Sequence, residues 1–154
     1  MSDKSRGYAY VALQFVLLGV LLTAPRLPEP YGALTPVISL LGLVVIAVAG
    51  VVLLISFVAL GNSLTASPLP KKQSQLVTSG LYAYVRHPIY SGLLLLSLGV
   101  VLDAGWWPQA VVALMLFGLL RIKAQFEETL LRKKYPKYAA YAAKTPMFFP
   151  RLGK

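Results

Sequence analysis

Apolar residues form four long blocks along this chain of 154 residues, and short polar stretches separate the blocks. The strongest block, residues 33–60, has no ionisable residue and exceeds the roughly 20 residues that a helix needs to cross a bilayer. An earlier block, residues 8–24, is also long enough to cross with little tilt. This pattern predicts helices that span a membrane.

The two later apolar blocks are shorter, and each predicts a span only with residues added at one end. We place the third span at residues 82–102, where Pro88 suits the first turn of a helix because its missing N–H costs nothing there. The fourth, residues 108–121, is expected to continue as a helix into the basic segment 122–154. The predicted fold class is an all-α integral membrane protein of one domain, with about four transmembrane helices and a C-terminal amphipathic helical segment.

Composition and charge support a membrane protein. The chain is 57% hydrophobic and 13% charged, whereas soluble domains carry about 25% charged residues. Nine of its fifteen Lys and Arg residues lie from Arg121 onward, and basic clusters of this kind flank membrane spans and attract anionic lipid. No groove-reading motif accompanies the net charge of +10, so a nucleic-acid partner is not expected. A metal site is not expected either, because the chain has no cysteine and one histidine.

The positions of the charges also predict an orientation. Loops near Arg26 and Asp103 would lie on one side of the membrane, with both termini and the other basic residues in the cytoplasm. This describes a multi-pass protein of the inner (cytoplasmic) membrane. The residues assigned to the cytoplasmic side are Lys4, Arg6, Lys71, Lys72, Arg86 and the C-terminal cluster. Small residues of the second span are interpreted as a helix-packing face: Gly42, Ala47, Ala49 and Gly50.

Two clusters on the predicted cytoplasmic side carry groups suited to chemistry. One is Arg86, His87 and Tyr90, at the start of an apolar run, and the other is the pair Glu127 and Glu128 in a helix rich in cations. Taken singly, the first cluster is also explained as a positively charged flank with an interfacial aromatic, and the second as solvated ion-pair partners. Their joint occurrence at one membrane boundary favours a ligand site.

Three tyrosines recur at three-residue spacing in the basic segment: Tyr135, Tyr138 and Tyr141. This spacing places an aromatic stripe on a short amphipathic helix. We interpret the stripe as interfacial rather than as part of a cofactor site.

The motif Arg-His-Pro-Ile-Tyr-Ser-Gly at residues 86–92, preceded by Gly80-Leu81-Tyr82 and followed by the paired glutamates and a Tyr138…Tyr141…Pro146…Pro150 pattern, resembles the isoprenylcysteine carboxyl methyltransferase family. That family belongs to a wider group that includes phospholipid N-methyltransferases. The resemblance covers about half of the chain and implies a membrane enzyme that uses S-adenosyl-L-methionine. It implies catalytic roles for Arg121, Glu127 and Glu128, with Arg121 close to a lipophilic substrate. The cofactor-binding residues it implies are Leu81, Tyr82, Arg86, His87, Pro88, Tyr90, Gly92, Glu127 and Glu128.

The residue types are compatible with that cofactor. Arg86 is suited to bidentate pairing with a carboxylate, and Glu127 or Glu128 to accepting hydrogen bonds from ammonium or ribose groups. No Gly-rich strand-turn-helix fingerprint is present, so a cofactor pocket has to be built from membrane helices and the C-terminal segment. A carboxylate acceptor needs no base and would be oriented by Arg121, whereas an amine would require a glutamate as general base.

The methyl acceptor stays open among a carboxylate, an amine and a thiol on a lipophilic molecule, and so does the oligomeric state. Three alternatives also stay open: a phospholipid N-methyltransferase, a membrane reductase that uses NADPH, and a membrane scaffold without enzymatic activity. The reductase is included because some membrane sterol reductases carry a similar Arg-x-Pro-x-Tyr-x-Gly element.

Overall fold

The computed structural model describes residues 2–23, 25–63 and 75–151, which form α-helices, short 3-10 turns and loops with no β-strand among them. Lys71 and Lys72, used above for the orientation, lie outside the described residues, as do Ala24 and residues 152–154. The helices are α1 (Asp3–Thr23), α2 (Thr35–Leu60), α3 (Pro88–Ala104), α4 (Trp107–Lys134) and α5 (Tyr138–Lys144). The prediction of an all-helical fold is therefore confirmed.

Three of these helices are long and apolar enough to cross a membrane: α1, α2 with the 3-10 turn that precedes it, and α4. The fourth apolar helix, α3, has 17 residues, and at about 1.5 Å per residue it is ~26 Å long. A bilayer core is about 30 Å thick, so the fourth span stays a prediction. Side chains of α2 such as Leu40, Leu54 and Val58 are each more than 60% exposed, as expected for a helix that faces lipid.

The third helix begins later than predicted, at Pro88 instead of residue 82. Proline disfavours a helical conformation for the residue before it, and His87 has φ −126° and ψ 64°. The residues before it form a separate 3-10 turn, Gly80–Ala83. Helix α4 runs past residue 121 to Lys134, which confirms its continuation into the basic segment. Tyr135, the residue before Pro136, is extended with φ −117° and ψ 106°, so the helix ends there for the same steric reason.

Helix α2 packs along α3, α1 packs against α4, and α3 also contacts α4. The α2–α3 contact brings backbones together, because a Cβ atom on Gly42 would lie 2.8 Å from the Gly99 carbonyl oxygen. Of the four small residues of α2 predicted to form a packing face, Gly42 and Ala49 are buried, whereas Ala47 and Gly50 are exposed. Half of that predicted face is therefore used within the chain.

The α1–α2 and α3–α4 loops lie together at one end of the bundle. The Leu27 amide donates to the Ala104 carbonyl over 3.1 Å, and the Arg26 guanidinium lies 3.0 Å from the Asp103 carboxylate. Gly105 ends α3 with φ +61°, and a Cβ there would clash with Pro30 at 2.1 Å. The predicted pairing of these two loops on one side agrees with this arrangement, while the side of the membrane they occupy stays a prediction.

Candidate functional site

The C-terminal segment returns to the start of α3 and covers it. The Arg86 amide donates to the Pro146 carbonyl over 2.8 Å, and the His87 amide donates to the Met147 carbonyl over 3.1 Å. One turn into α3, the Ser91 hydroxyl donates to the Phe148 carbonyl over 2.6 Å. These bonds join residues almost sixty positions apart and place the conspicuous histidine motif under residues 146–148.

Arg86 binds the protein on two of its three nitrogens. Its Nε donates to Glu128 Oε1 over 2.8 Å, and its Nη1 donates to the carbonyls of Ala142, over 3.0 Å, and Thr145. Nε and Nη1 carry three of the five guanidinium N–H groups, so Nη2 is the part left for a ligand. Arg86 therefore pairs with Glu128 through one hydrogen bond from Nε, and its Nη1 bonds fix the C-terminal segment.

His87 lies between the two glutamates that the sequence singled out. Its Nδ1 is 3.5 Å from Glu127 Oε2, its Nε2 is 3.2 Å from Glu128 Oε1, and its ring stacks on Tyr90 with 5.3 Å between centroids. Burial lowers the pKa of His87, but the hydrogen bonds and charges of Glu127 and Glu128 more than offset that effect, so the pKa is raised overall. Tyr90 completes the group by donating to Glu127 Oε1 over 2.5 Å.

A cavity of about 420 Å³ adjoins this group, within the range of about 300–1,000 Å³ that small-molecule sites occupy. Its walls differ in chemistry. One wall is apolar and comes mainly from α1 and α2, with Val11, Phe15, Leu18, Phe57 and Leu60. The other carries ionisable and hydroxyl groups, with Tyr82, Arg86, His87, Tyr90, Lys123, Glu127, Tyr135, Tyr138 and Tyr141.

The three C-terminal tyrosines line this cavity, so their interpretation as an interfacial stripe is wrong. Tyr138 is 1% exposed, and Tyr141 donates its hydroxyl to the Tyr82 carbonyl over 2.5 Å. Burial raises the pKa of Tyr141 to about 12. The buried Tyr138 hydroxyl has no hydrogen-bond partner among the described residues. The turn at Pro136 directs α5 back over the site, which tyrosine spacing by itself does not indicate.

The structure divides the predicted site residues into three groups. Tyr82, Arg86, His87, Tyr90 and Glu127 line the cavity. A second group is not part of the lining: Glu128, Gly92, Leu81 and Pro88. Of these, Glu128 holds Arg86 and His87, and Gly92 packs so closely that a Cβ would lie 2.7 Å from Leu53.

Arg121 forms the third group, because it is exposed on α4 and is not part of the cavity lining. Its predicted role beside a lipophilic substrate stays a prediction.

Sequence reasoning missed Lys123 and Gln14. Both are buried and line the cavity, and Lys123 Nζ donates to Gln14 Oε1 over 2.7 Å. A lysine two residues after Arg121 in a cationic helix resembles a surface charge in sequence. The available signal was periodicity, because Lys123 lies four residues before Glu127 and therefore on the same helix face.

These features define a helical membrane protein with a mixed polar and apolar cavity at one end of its bundle. Residues 37–138 match the model of the phospholipid methyltransferase family, and the chain belongs to that family. It is 29% identical to a probable protein-S-isoprenylcysteine O-methyltransferase of Oryza sativa subsp. indica over 147 residues, 91% of this chain and 74% of the relative. The resemblance seen in the motifs is thereby confirmed.

Higher identity over a shorter stretch is found with two bacterial proteins. The cobalt-zinc-cadmium resistance protein CzcN of Cupriavidus metallidurans is 39% identical over 83 residues, and the nickel-cobalt-cadmium resistance protein NccN of Alcaligenes xylosoxydans xylosoxydans is 33% identical over 84 residues. Each match includes 53% of this chain. The matched part covers only 38% of the length of CzcN and 39% of the length of NccN. The chain is thus a membrane protein of a methyltransferase family.

Proposed function

We propose that this chain is an S-adenosylmethionine-dependent integral membrane methyltransferase that acts on a lipophilic acceptor. The observation that carries the proposal is the cavity with two unlike walls. The His87 motif and Glu127 come from distant parts of the chain, are in contact, and line the same cavity as apolar residues of α1 and α2. Such a cavity suits one polar ligand and one lipophilic ligand side by side.

The polar wall offers groups that match the cofactor. S-adenosylmethionine has an ammonium, a sulfonium, a carboxylate and ribose hydroxyls. The Glu127 carboxylate is suited to accept from the ammonium or ribose, and Arg86 Nη2 is suited to the carboxylate. The unpartnered Tyr138 hydroxyl supplies a further polar contact, and aromatic faces such as that of Tyr82 favour a nearby cation.

The chain's own residues would bind and orient the reactants. When bound, S-adenosylmethionine supplies a methyl group that its sulfonium makes electrophilic without a metal. Tyr90 and His87 hold the Glu127 side chain in place from two directions, and the buried Tyr138 ring of the C-terminal segment would help to exclude water. Fixed geometry of this kind is the main contribution expected of the protein to a methyl transfer. With an amine acceptor, Glu127 is the carboxylate placed to take the proton.

The same proposal includes four spans, with α3 as the fourth, and both termini on the cytoplasmic side of the inner membrane. The loop end of the bundle holds the Arg26–Asp103 pair, whereas the cavity end holds Arg86 and the cations of the C-terminal segment. Positive charge accumulates on the cytoplasmic side of membrane proteins. A water-soluble cofactor would then reach the cavity from the cytoplasm and a lipophilic acceptor from the bilayer.

The test is calorimetric titration of the purified protein in detergent with S-adenosylhomocysteine and, separately, with NADPH. Saturable binding of the first ligand alone is expected, together with transfer of a radiolabelled methyl group from the cofactor into a total lipid extract. Glu127→Gln should weaken S-adenosylhomocysteine binding, and Lys133→Gln, an exposed change on the same helix, should not. Binding of NADPH with no response to S-adenosylhomocysteine would overturn the proposal in favour of a reductase.

A further inference from the structure

Lys123 is a buried cation that the proposed cofactor contacts do not use. It is 4% exposed in the middle of the bundle, and an ammonium in such a place is costly unless it is paired or functional. Its Nζ donates to Gln14 Oε1 over 2.7 Å and lies 5.1 Å from the centroid of the Tyr90 ring. Within the described ranges, no carboxylate lies within 4 Å of this ammonium. Its closest partners are therefore a neutral amide and an aromatic face, and the Glu127 carboxylate acts on its charge from beyond 4 Å.

The position of Lys123 is at the junction of the two cavity walls. Gln14, its partner, belongs to α1 between Val11 and Leu18 of the apolar wall, while Tyr90 bonds Glu127 on the polar wall. A lysine ammonium has three N–H donors, and Gln14 takes one of them. The cavity therefore presents a cation with spare donors where the head of a lipophilic molecule would meet the polar wall.

We propose that Lys123, positioned by Gln14, binds an oxyanion of the lipophilic acceptor, either a carboxylate or a phosphate. This inference rests on the proposed function, and it moves the acceptor contact from the exposed Arg121 to a residue inside the cavity. An acceptor whose head carries only positive charge is excluded by like-charge repulsion from Lys123. The residue acts as a specificity determinant, because it selects acceptors by charge at the point where the two walls meet.

A carboxylate acceptor held in this way needs no proton transfer. One carboxylate oxygen forms a C–O bond to the methyl group while the S–C bond breaks and its electron pair stays on sulfur. The products are a neutral ester and a neutral thioether, so the anion and the sulfonium cation disappear together. Loss of the negative charge weakens the contact with Lys123, which favours release of the ester.

The experiment measures binding of three amphiphiles of one chain length to the full-length protein in phosphatidylcholine nanodiscs, with empty nanodiscs subtracted. The probes are dodecanoate, dodecyl phosphate and dodecan-1-ol. We expect at least one anion to bind about tenfold or more tightly than the alcohol, as for a hydrogen bond to a charged group. The anion that is preferred identifies a carboxylate or a phosphate as the recognised group.

Variants separate this role from a structural one. Lys123→Met should remove the preference for the anion, Lys123→Arg should keep most of it, and Lys133→Met, a matched change at an exposed site of α4, should leave it intact. Methionine has a similar length and no charge, so it can replace a buried lysine without leaving an unpaired charge. Thermal unfolding of each variant verifies that it folds. Equal binding of anion and alcohol by the unaltered protein, or an unchanged preference in Lys123→Met, would overturn the inference. Because no cofactor takes part, this result is independent of the S-adenosylhomocysteine titration that tests the proposed function.

Discussion

The substitution Glu128→Gln tests whether the buried carboxylate behind the cavity holds the site together. Glu128 accepts from Arg86 over 2.8 Å and contacts His87 over 3.2 Å, with 8% of its side chain exposed. Removing one partner of a buried ion pair costs about 3–5 kcal/mol. The amide oxygen of glutamine still accepts one hydrogen bond, and the Ala142 and Thr145 carbonyls still accept from Arg86. We therefore expect a loss of about 3 kcal/mol in the free energy of unfolding.

Thermal unfolding of the purified protein, followed by intrinsic fluorescence, measures this loss. For a chain of this size each kcal/mol corresponds to roughly 2–4 °C, so the unfolding midpoint should fall by about 6–12 °C. Glu127→Gln is the matched control, because this neighbouring carboxylate faces the cavity and bonds Tyr90. Its loss of stability should be about 1.5 kcal/mol, the lower end for a hydrogen bond to a charged group, while its loss of S-adenosylhomocysteine affinity should be larger than that of Glu128→Gln.

Two results would refute this division of roles between the glutamates. One is an unfolding midpoint for Glu128→Gln equal to that of the unaltered protein, which would mean that Arg86 holds the C-terminal segment without its carboxylate. The other is a larger loss of stability in Glu127→Gln than in Glu128→Gln. A double-mutant cycle with Arg86→Met measures the interaction energy between Arg86 and Glu128. The double variant should lose less unfolding free energy than the sum of the losses of the two single variants.

Two further predictions concern His87 and the α2–α3 contact. Glu127 and Glu128 hold the folded-state pKa of His87 above its ordinary value, so the stabilisation is fully present below about pH 6.5 and is lost as pH rises through the folded-state pKa. The unfolding midpoint should fall over that pH range, and His87→Gln should flatten the dependence; an equally steep profile in the variant would contradict the assignment. Gly42→Ala should cost about 1–3 kcal/mol in thermal unfolding, because its Cβ would lie 2.8 Å from Gly99 O, whereas Gly50→Ala, with open space, should be neutral or stabilising; equal effects would argue against close packing.

The helices could be predicted because each depends on a local pattern of apolar residues. Hydropathy directly indicates α2, which has no charged residue. Charge indicates the end of α3, where Asp103 lies in the last turn of the helix and pairs with Arg26. The start of α3 was predicted too early because spanning length was given more weight than the effect of Pro88 on the residue before it. Local stereochemistry, which a length argument ignores, decided that boundary.

Sequence reasoning identified residues of the cavity lining where a motif carries unusual residue types and missed others where position in the fold decides. His87 and Glu127 were found because a lone histidine and paired acids are rare in such a composition. Lys123 was missed because lysine is common in this helix, and only the packing of α1 against α4 buries it. Tyr138 was misread for a related reason, since the return of the C-terminal segment across the start of α3 is a contact between residues far apart in sequence.

The two cavity walls come from different parts of the chain, and under the proposed function this separates the cofactor site from the subsite for the lipophilic part of the acceptor. The polar wall combines the start of α3 with tyrosines of the C-terminal segment, which is bonded to α3 through residues 146–148. We therefore expect a ligand on that wall to stabilise this arrangement by mass action. The apolar wall consists of side chains of α1 and α2 such as Phe15 and Phe57, both of which are exposed. Under the proposed function, we expect substitutions there to change which lipophilic chains are accepted, while the Arg86–Glu128 pair and the charge preference set by Lys123 stay unchanged.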